Sequence, residues 1–355
     1  MLLLHLFVLF LNDLFFSTQE VGSMNNYYKI NAMYTMNTTH SAEIRGRFSI
    51  VFLLVSTIFI GSAFGQSKLL SERLGYKPTE KLLIVNCDDV GMCNSANMAV
   101  IDGMENGMIT SGTIMTPCPW SGAIMDYAKN HPEKDFGVHL THTAEWRFYR
   151  WGPVAPKEQV KGLCDPDGFL WRSVEEVYAH SNPTEALIEG RAQIKKVLAS
   201  GVPVTHIDSH MGTMQYSPDY FKAYVQLAME FNLPLRMPSQ STMEKFKQPT
   251  MRDELAKQGV VFTDYFVYEE LDNYKEVKPF WMNIIKNLKP GVTEIFIHAS
   301  KLSDELKAIT GTAEKRAQEA ACFTSDQEIR KLIKDEGVIL IGYRPLLELQ
   351  RKIRK

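Results

Sequence analysis

The chain has 355 residues, with 39 basic and 41 acidic side chains and a formal net charge of −2. This near-neutral balance excludes the basic surface of a nucleic-acid binder and any acidic solvating tail. A hydrophobic share of 45% fits a globular protein with a large core.

The N-terminus reads as a targeting segment. Residues 1–16 form an apolar stretch interrupted by Asn12 and Asp13. A second segment has Arg45-Gly-Arg47, the apolar run Ile50 to Ile60, and small residues from Gly61 to Gln66. Basic flank, apolar centre and small-residue exit are the three parts of a secretory signal peptide. The run falls short of the ~20 apolar residues of a spanning helix. We therefore expect a signal peptide at about 36–65, with Met33 or Met36 as the functional start and export to the periplasm or beyond. No cysteine stands in the cleavage zone, which argues against a lipoprotein anchor and a stable membrane partner. Residues 66–355 then form one catalytic domain of about 290 residues, an ordinary size for an α/β barrel. The five cysteines include no CxxC pair; Cys87 and Cys118 lie in apolar runs and read as buried thiols.

From residue 82 onward, strand-like and helix-like segments alternate. Strands are expected at 82–87, 110–116, 135–141, 204–207, 234–237, 260–266, 293–298 and 337–343. Helices are expected at 94–106, 122–130, 184–200, 218–231, 250–258, 277–288, 313–321 and 326–335. The alternation predicts a parallel sheet. Polar residues of chemical interest end several different strands, which favours an irregular (β/α) TIM-like barrel over an open doubly wound sheet. One segment breaks the rhythm. Residues 143–182 hold Trp146-Arg-Phe-Tyr-Arg-Trp151 and read as an inserted binding loop.

The strand ends supply a constellation. Asp88 and Asp89 follow the apolar run Leu82 to Val85, where unpaired charge is costly. One carboxylate can bind a metal while the other stays free as a base; a helix cap is the plainer alternative. His139 ends Phe136-Gly-Val. His206 and His210 are four apart, but Pro203-Val-Thr-His reads as a strand rather than a helix. His210 at the tip is the better ligand, and His206 or Asp208 orients it from behind. His142 ranks below His139 as a ligand. His298 ends an apolar strand and reads either as a core histidine or as a general acid. One Asp and two His leave open positions on one divalent ion, which acidifies water and polarises a carbonyl. This inventory suits amide hydrolysis. An iron oxygenase uses a similar ligand set but has no role for the adjacent carboxylate.

The stretches Leu82-Leu-Ile-Val-Asn-Cys-Asp-Asp-Val-Gly91, Ile109-Thr-Ser-Gly-Thr113, Gly137-Val-His-Leu140 and Thr205-His-Ile-Asp-Ser-His210, in this order, resemble the YdjC-like carbohydrate deacetylases. That family includes the chitooligosaccharide (diacetylchitobiose) deacetylases, and the resemblance spans residues 80–345. It implies an irregular barrel and metal-dependent removal of acetyl groups from N-acetylated sugars. It also divides the aspartates: Asp88 matches the base, while Asp89, His139 and His210 match the metal ligands. His298 matches a late histidine that protonates the amine, and Arg236 an arginine near the substrate. Zinc or magnesium is the expected ion, with manganese or cobalt also compatible. Trp146 and Trp151 suit stacking on a sugar ring; the alternative is a loop packed by its own aromatics. The chain departs from the pattern at Cys87, at Met211 to Met214 after His210, and at Ala299 after His298. These departures bear on substrate identity. The rival readings are a hydrolase of another ester, phosphoester or amide, and a silent glycan-binding protein of the same fold. A homodimer is compatible with either.

Overall fold

The computed structural model describes residues 68–268 and 276–355. The expected signal peptide lies outside them. No helix among the described residues is long and apolar enough to cross a membrane.

Seven strands form one parallel sheet: β1 (Lys81–Val90), β2 (Ser111–Ile114), β3 (Phe136–Leu140), β4 (Ile207–Ser209), β5 (Tyr265–Val267), β6 (Gly291–Ile297) and β7 (Val338–Leu340). Their order is β4-β3-β2-β1-β6-β5. The central strand β1 is buried along nearly its whole length, as its unbroken apolar run requires when helices cover a parallel sheet. β6 pairs with it from Lys81 to Cys87. On the other edge β7 takes Lys81–Leu83 and β2 takes the far end of the strand.

The sheet curls into a half-barrel that stays open, where the sequence suggested a barrel. One local feature lies at the gap. Expected strand 234–237 is framed by Pro234 and Pro238, which lack N–H donors, and makes only one isolated bridge, Leu235 to Ile207. Expected strand 260–266 forms only at Tyr265–Val267, paired with β6, and the Asp264 carboxylate accepts the Val292 N–H at 2.8 Å on that same side. The fourth strand also begins later than expected, at Ile207 rather than 204.

Helices expected from periodicity form at Asn94–Glu105, Ser121–Asn130, Pro183–Ala199, Pro218–Phe231, Met251–Lys257, Val277–Lys286, Ala313–Thr324 and Gln327–Asp335. Pro183 and Pro218 occupy first-turn positions, where a missing N–H costs nothing. Helix Arg344–Ile353, which opens on Pro345 at the end of the chain, was not anticipated. The insertion 143–182 is compact. It holds a short helix, Val174–His180, and buries Trp151, Val160, Leu163 and Leu170. The buried Glu189 carboxylate accepts the Val154 and Ala155 N–H groups and ties the loop to helix Pro183–Ala199.

Gly137 on β3 allows close strand contact. A Cβ there would lie 2.7 Å from the His206 ring and from its carbonyl oxygen. Gly137→Ala should therefore destabilise the domain by about 1–3 kcal/mol, read as a lower urea midpoint at unchanged m-value.

Candidate functional site

The inner ends of the strands build the site. β1 runs through both aspartates before Gly91 turns it away. Asp89 has φ of 61°, a left-handed conformation that few non-glycine residues adopt, and the β1–β2 register shifts between Cys87 and Val90. This break in the pleat lets adjacent side chains serve one cavity, although strict alternation would send them to opposite faces. Register then brings in the partners. His139 on β3 lies opposite Asp208 on β4. A short 3₁₀ turn after β4 begins at His210.

Three donor atoms converge. Asp89 Oδ1 lies 3.4 Å from His139 Nε2 and 3.2 Å from His210 Nδ1. The two imidazole nitrogens are 3.3 Å apart. Bonds of about 2.0–2.2 Å place neighbouring donors of a tetrahedral ion roughly 3.3–3.6 Å apart. The triangle therefore has the dimensions of one face of a metal coordination shell. Asp89 Oδ1 is buried without a well-formed hydrogen bond among the described residues, as a metal-directed oxygen should be. A second cluster, Asp88, His139 and Asp208, is also compact. Its donors are already engaged: Asp88 with Arg236 and Asn86, and His139 Nδ1 with Asp208 at 2.6 Å. The residues thus fit one ion, at Asp89, His139 and His210.

Each of these three side chains is held from behind. Arg316 Nη2 donates to Asp89 Oδ2 at 2.8 Å, leaving Oδ1 to face the histidines. His139 Nδ1 meets Asp208, whose other oxygen accepts from Thr113 at 2.9 Å. His210 Nε2 lies 3.1 Å from both Glu145 oxygens. Asp208 therefore orients His139, not His210 as the sequence led us to expect. His206 is also away from the ligands. It stacks on Tyr343 with ring centroids 3.7 Å apart and meets Asn86 Oδ1 at 3.2 Å.

Asp88 is gripped from one side. Arg236 Nη1 and Nη2 donate to its two oxygens at 2.7 and 2.8 Å, and Asn86 Nδ2 adds a bond of 2.8 Å. Burial alone would raise the Asp88 carboxyl; the Arg236 guanidinium outweighs it and holds the group well below the usual carboxylate range. Arg236 is itself buried, donating to Glu294 at 2.8 Å and lying 3.1 Å from Asp208. It reaches Asp88, not the exterior.

The histidines divide by surroundings. Burial works against charge on His139, but Asp208 and Asp88 win and raise it to about 10. Burial likewise opposes His210, and Glu145 and Asp89 raise it to about 9. Burial lowers His142 and His298 to about 4, and it lowers His206 well below its ordinary value. His298 follows β6, and its Nδ1 is buried without a hydrogen-bond partner among the described residues. Its backbone N–H donates to Glu319 at 2.7 Å.

Trp146 stands at the rim, its ring 6.5 Å from His210. Trp151 is buried behind it, 5.4 Å away edge-on, and donates to the Thr143 carbonyl. The aromatic run thus contains one ring beside the site and another in the loop's own core.

Four further residues escaped the sequence reading: Glu145, Glu294, Arg316 and Glu319. Glu294 had a usable signal, since a glutamate within an apolar strand needs a partner. The other three carry none, being charged residues in segments whose polar positions usually face water.

Fold and site together define a class: an open parallel α/β half-barrel with a buried Asp-His-His centre beside an arginine-clamped carboxylate. The profile of the YdjC-like protein family matches residues 82–335, and the chain belongs to that family. A carbohydrate deacetylase of Thermoanaerobacter pseudethanolicus is 29% identical over 263 residues, covering 74% of this chain and 98% of the relative. One from Brevibacillus brevis is 28% identical over 266 residues, 74% of this chain and 99% of the relative. A crystal structure from Enterococcus faecalis V583, of a protein provisionally named for cellobiose-phosphate cleavage, superposes with a TM-score of 0.65 at 26% identity. That match covers 76% of this chain and 99% of the other.

Two outcomes follow. Asp208→Asn should weaken divalent-metal affinity about 10–100-fold by loosening His139, measured by calorimetric titration of the stripped protein. Acidification should destabilise the metal-free fold. Below pH 6.5 the unfolded chain takes up protons on His142, His206 and His298, while the folded chain does not until about pH 4 for His142 and His298. Stability then falls as pH falls across that window, by about 1.4 kcal/mol per pH unit for each such proton. His139 and His210 are charged in both states there and add no slope. Melting temperatures from pH 7 to 4 check the sign.

Proposed function

We propose that the protein is a metal-dependent carbohydrate deacetylase that hydrolyses the acetamide of an N-acetylated sugar. The observation that carries this reading is the donor triangle of Asp89, His139 and His210, with edges of 3.2–3.4 Å, set beside the clamped carboxylate of Asp88. Near-complete coverage of relatives named carbohydrate deacetylase supports it. Asp89, His139 and His210 would hold a divalent ion, with zinc or magnesium favoured, which would supply acidified water and a polarised acetyl carbonyl.

The chain's own groups handle the proton. Asp88 stays ionised because Arg236 grips both its oxygens, so it accepts a proton from the attacking water. The same grip makes Asp88 a weak base, and the proton moves on. His298 is neutral at rest and has an unbonded Nδ1 among the described residues, so it can receive that proton and pass it to the nitrogen. The water oxygen ends in acetate, the C–N bond breaks, and the sugar keeps a free amine. Trp146 offers its ring to a sugar face. Arg236 acts through Asp88. We also propose that the enzyme is exported, on the strength of residues 36–65.

Acetate release from a panel of N- and O-acetylated saccharides, with zinc, magnesium, manganese or cobalt restored, tests the reading. Release of phosphate or of non-sugar acids instead would point to another hydrolase, and saccharide binding without turnover to a silent binder. Asp88→Asn should lower kcat at least about 100-fold while the protein keeps its metal. His210→Ala should lose the metal itself, measured by elemental analysis after dialysis.

A further inference from the structure

The two histidines of the centre present different nitrogens to it. His139 faces Asp89 through Nε2, and His210 faces it through Nδ1. A ligating nitrogen must be free of its proton, so the proton of each neutral ring belongs on the other nitrogen. For His139 that is Nδ1, which meets Asp208. For His210 it is Nε2, which meets Glu145 Oε1 and Oε2, both at 3.1 Å.

The two carboxylates are set differently in the fold. Asp208 is fully buried on β4, in register with His139. Glu145 lies beyond β3 at the start of the inserted loop, with its side chain 18% accessible. It directly precedes Trp146, whose ring lies 6.5 Å from His210 and 5.9 Å from the Arg316 guanidinium. His210 itself sits on a loop turn after β4 and borders Met211, whose φ is 53°. No strand pairing fixes this ring, so its orientation depends on its side-chain partners.

We propose that Glu145 is the positioning residue of the metal centre: its carboxylate holds His210 in the Nε2–H form and aims Nδ1 at the ion. This rests on the metal-dependent reading above and adds to it a residue on the substrate loop. Glu145 does not touch the ion. It acts through His210, as Asp208 acts through His139, and it raises the basicity of the ring it holds.

The test is zinc titration by calorimetry of the metal-stripped parent, Glu145→Ala and Glu145→Gln, with melting curves for each. Glu145→Ala should bind zinc about 10–100-fold more weakly than the parent. Glu145→Gln keeps an acceptor oxygen of the same reach and should recover part of the loss. Nitrogen-15 shifts of the His210 ring in the zinc-loaded parent should report an Nε2–H tautomer. A role confined to anchoring the loop would lower the melting temperature of both variants and leave zinc affinity unchanged. Zinc affinity in folded Glu145→Ala within about threefold of the parent overturns the proposal, as does an Nδ1–H tautomer in the zinc-loaded parent. A parent that binds zinc, weakened by Glu145→Ala, yet releases no acetate from any saccharide upholds Glu145 and refutes the deacetylase reading instead.

Discussion

The buried guanidinium of Arg236 is the constraint on which the centre depends. It joins Asp88 of β1, Asp208 of β4 and Glu294 of β6 across the interior of the half-barrel. Tyr343 closes the far side with a bond to Glu294 at 2.5 Å. Taking so many charges out of water costs several kcal/mol for each ion, and mutual attraction offsets this only when every lone pair finds a partner. Here Arg236, Asn86, Thr113 and Tyr343 donate to the three carboxylates. Removing Arg236 would leave three buried carboxylates without their shared cation, so the cluster depends on it. It also spans the side where the sheet lacks a backbone ladder, between Leu235 and β5. A side chain does there what strand pairing does elsewhere.

The same electrostatics separate the roles of two adjacent aspartates. Asp88 meets a fixed guanidinium through both oxygens and stays anionic. Asp89 meets Arg316 through one oxygen and turns the other toward two imidazoles. Its left-handed backbone makes this possible, at a conformational cost of order 1 kcal/mol or more. The carboxylates nearby outnumber the guanidinium groups, which is why the two facing histidines are held charged without an ion. A dication held there would satisfy the same imbalance. Burial outweighs the nearby carboxylates at His142, His206 and His298 and keeps them neutral.

Much of the site was legible in the sequence because its residues interrupt apolar strands. Asp88, Asp89, His139 and His210 stand where a buried strand ends, and a charged or polar group there needs a reason. Their convergence in space followed from the parallel α/β rhythm. The supporting residues were less legible. Arg316 and Glu319 belong to an amphipathic-looking helix, Ala313–Thr324, and are buried where their side chains reach Asp89 and the His298 N–H. Trp146 and Trp151 look alike in sequence, yet one borders the centre and the other fills the loop's core. Asp208 was expected behind His210; parallel register set it opposite His139 instead.

By itself the sequence determined the alternation of strands and helices, the strand-end donors and the family resemblance, because periodicity and local burial are properties of short segments. Tertiary structure alone decided that the barrel stays open, since the segment framed by Pro234 and Pro238 makes an isolated bridge in place of a strand. It also decided which nitrogen of each histidine faces the centre, which carboxylate supports which ring, and that Arg236 clamps Asp88. Those are distances between atoms far apart along the chain, set by register and packing, and no local pattern of residues encodes them.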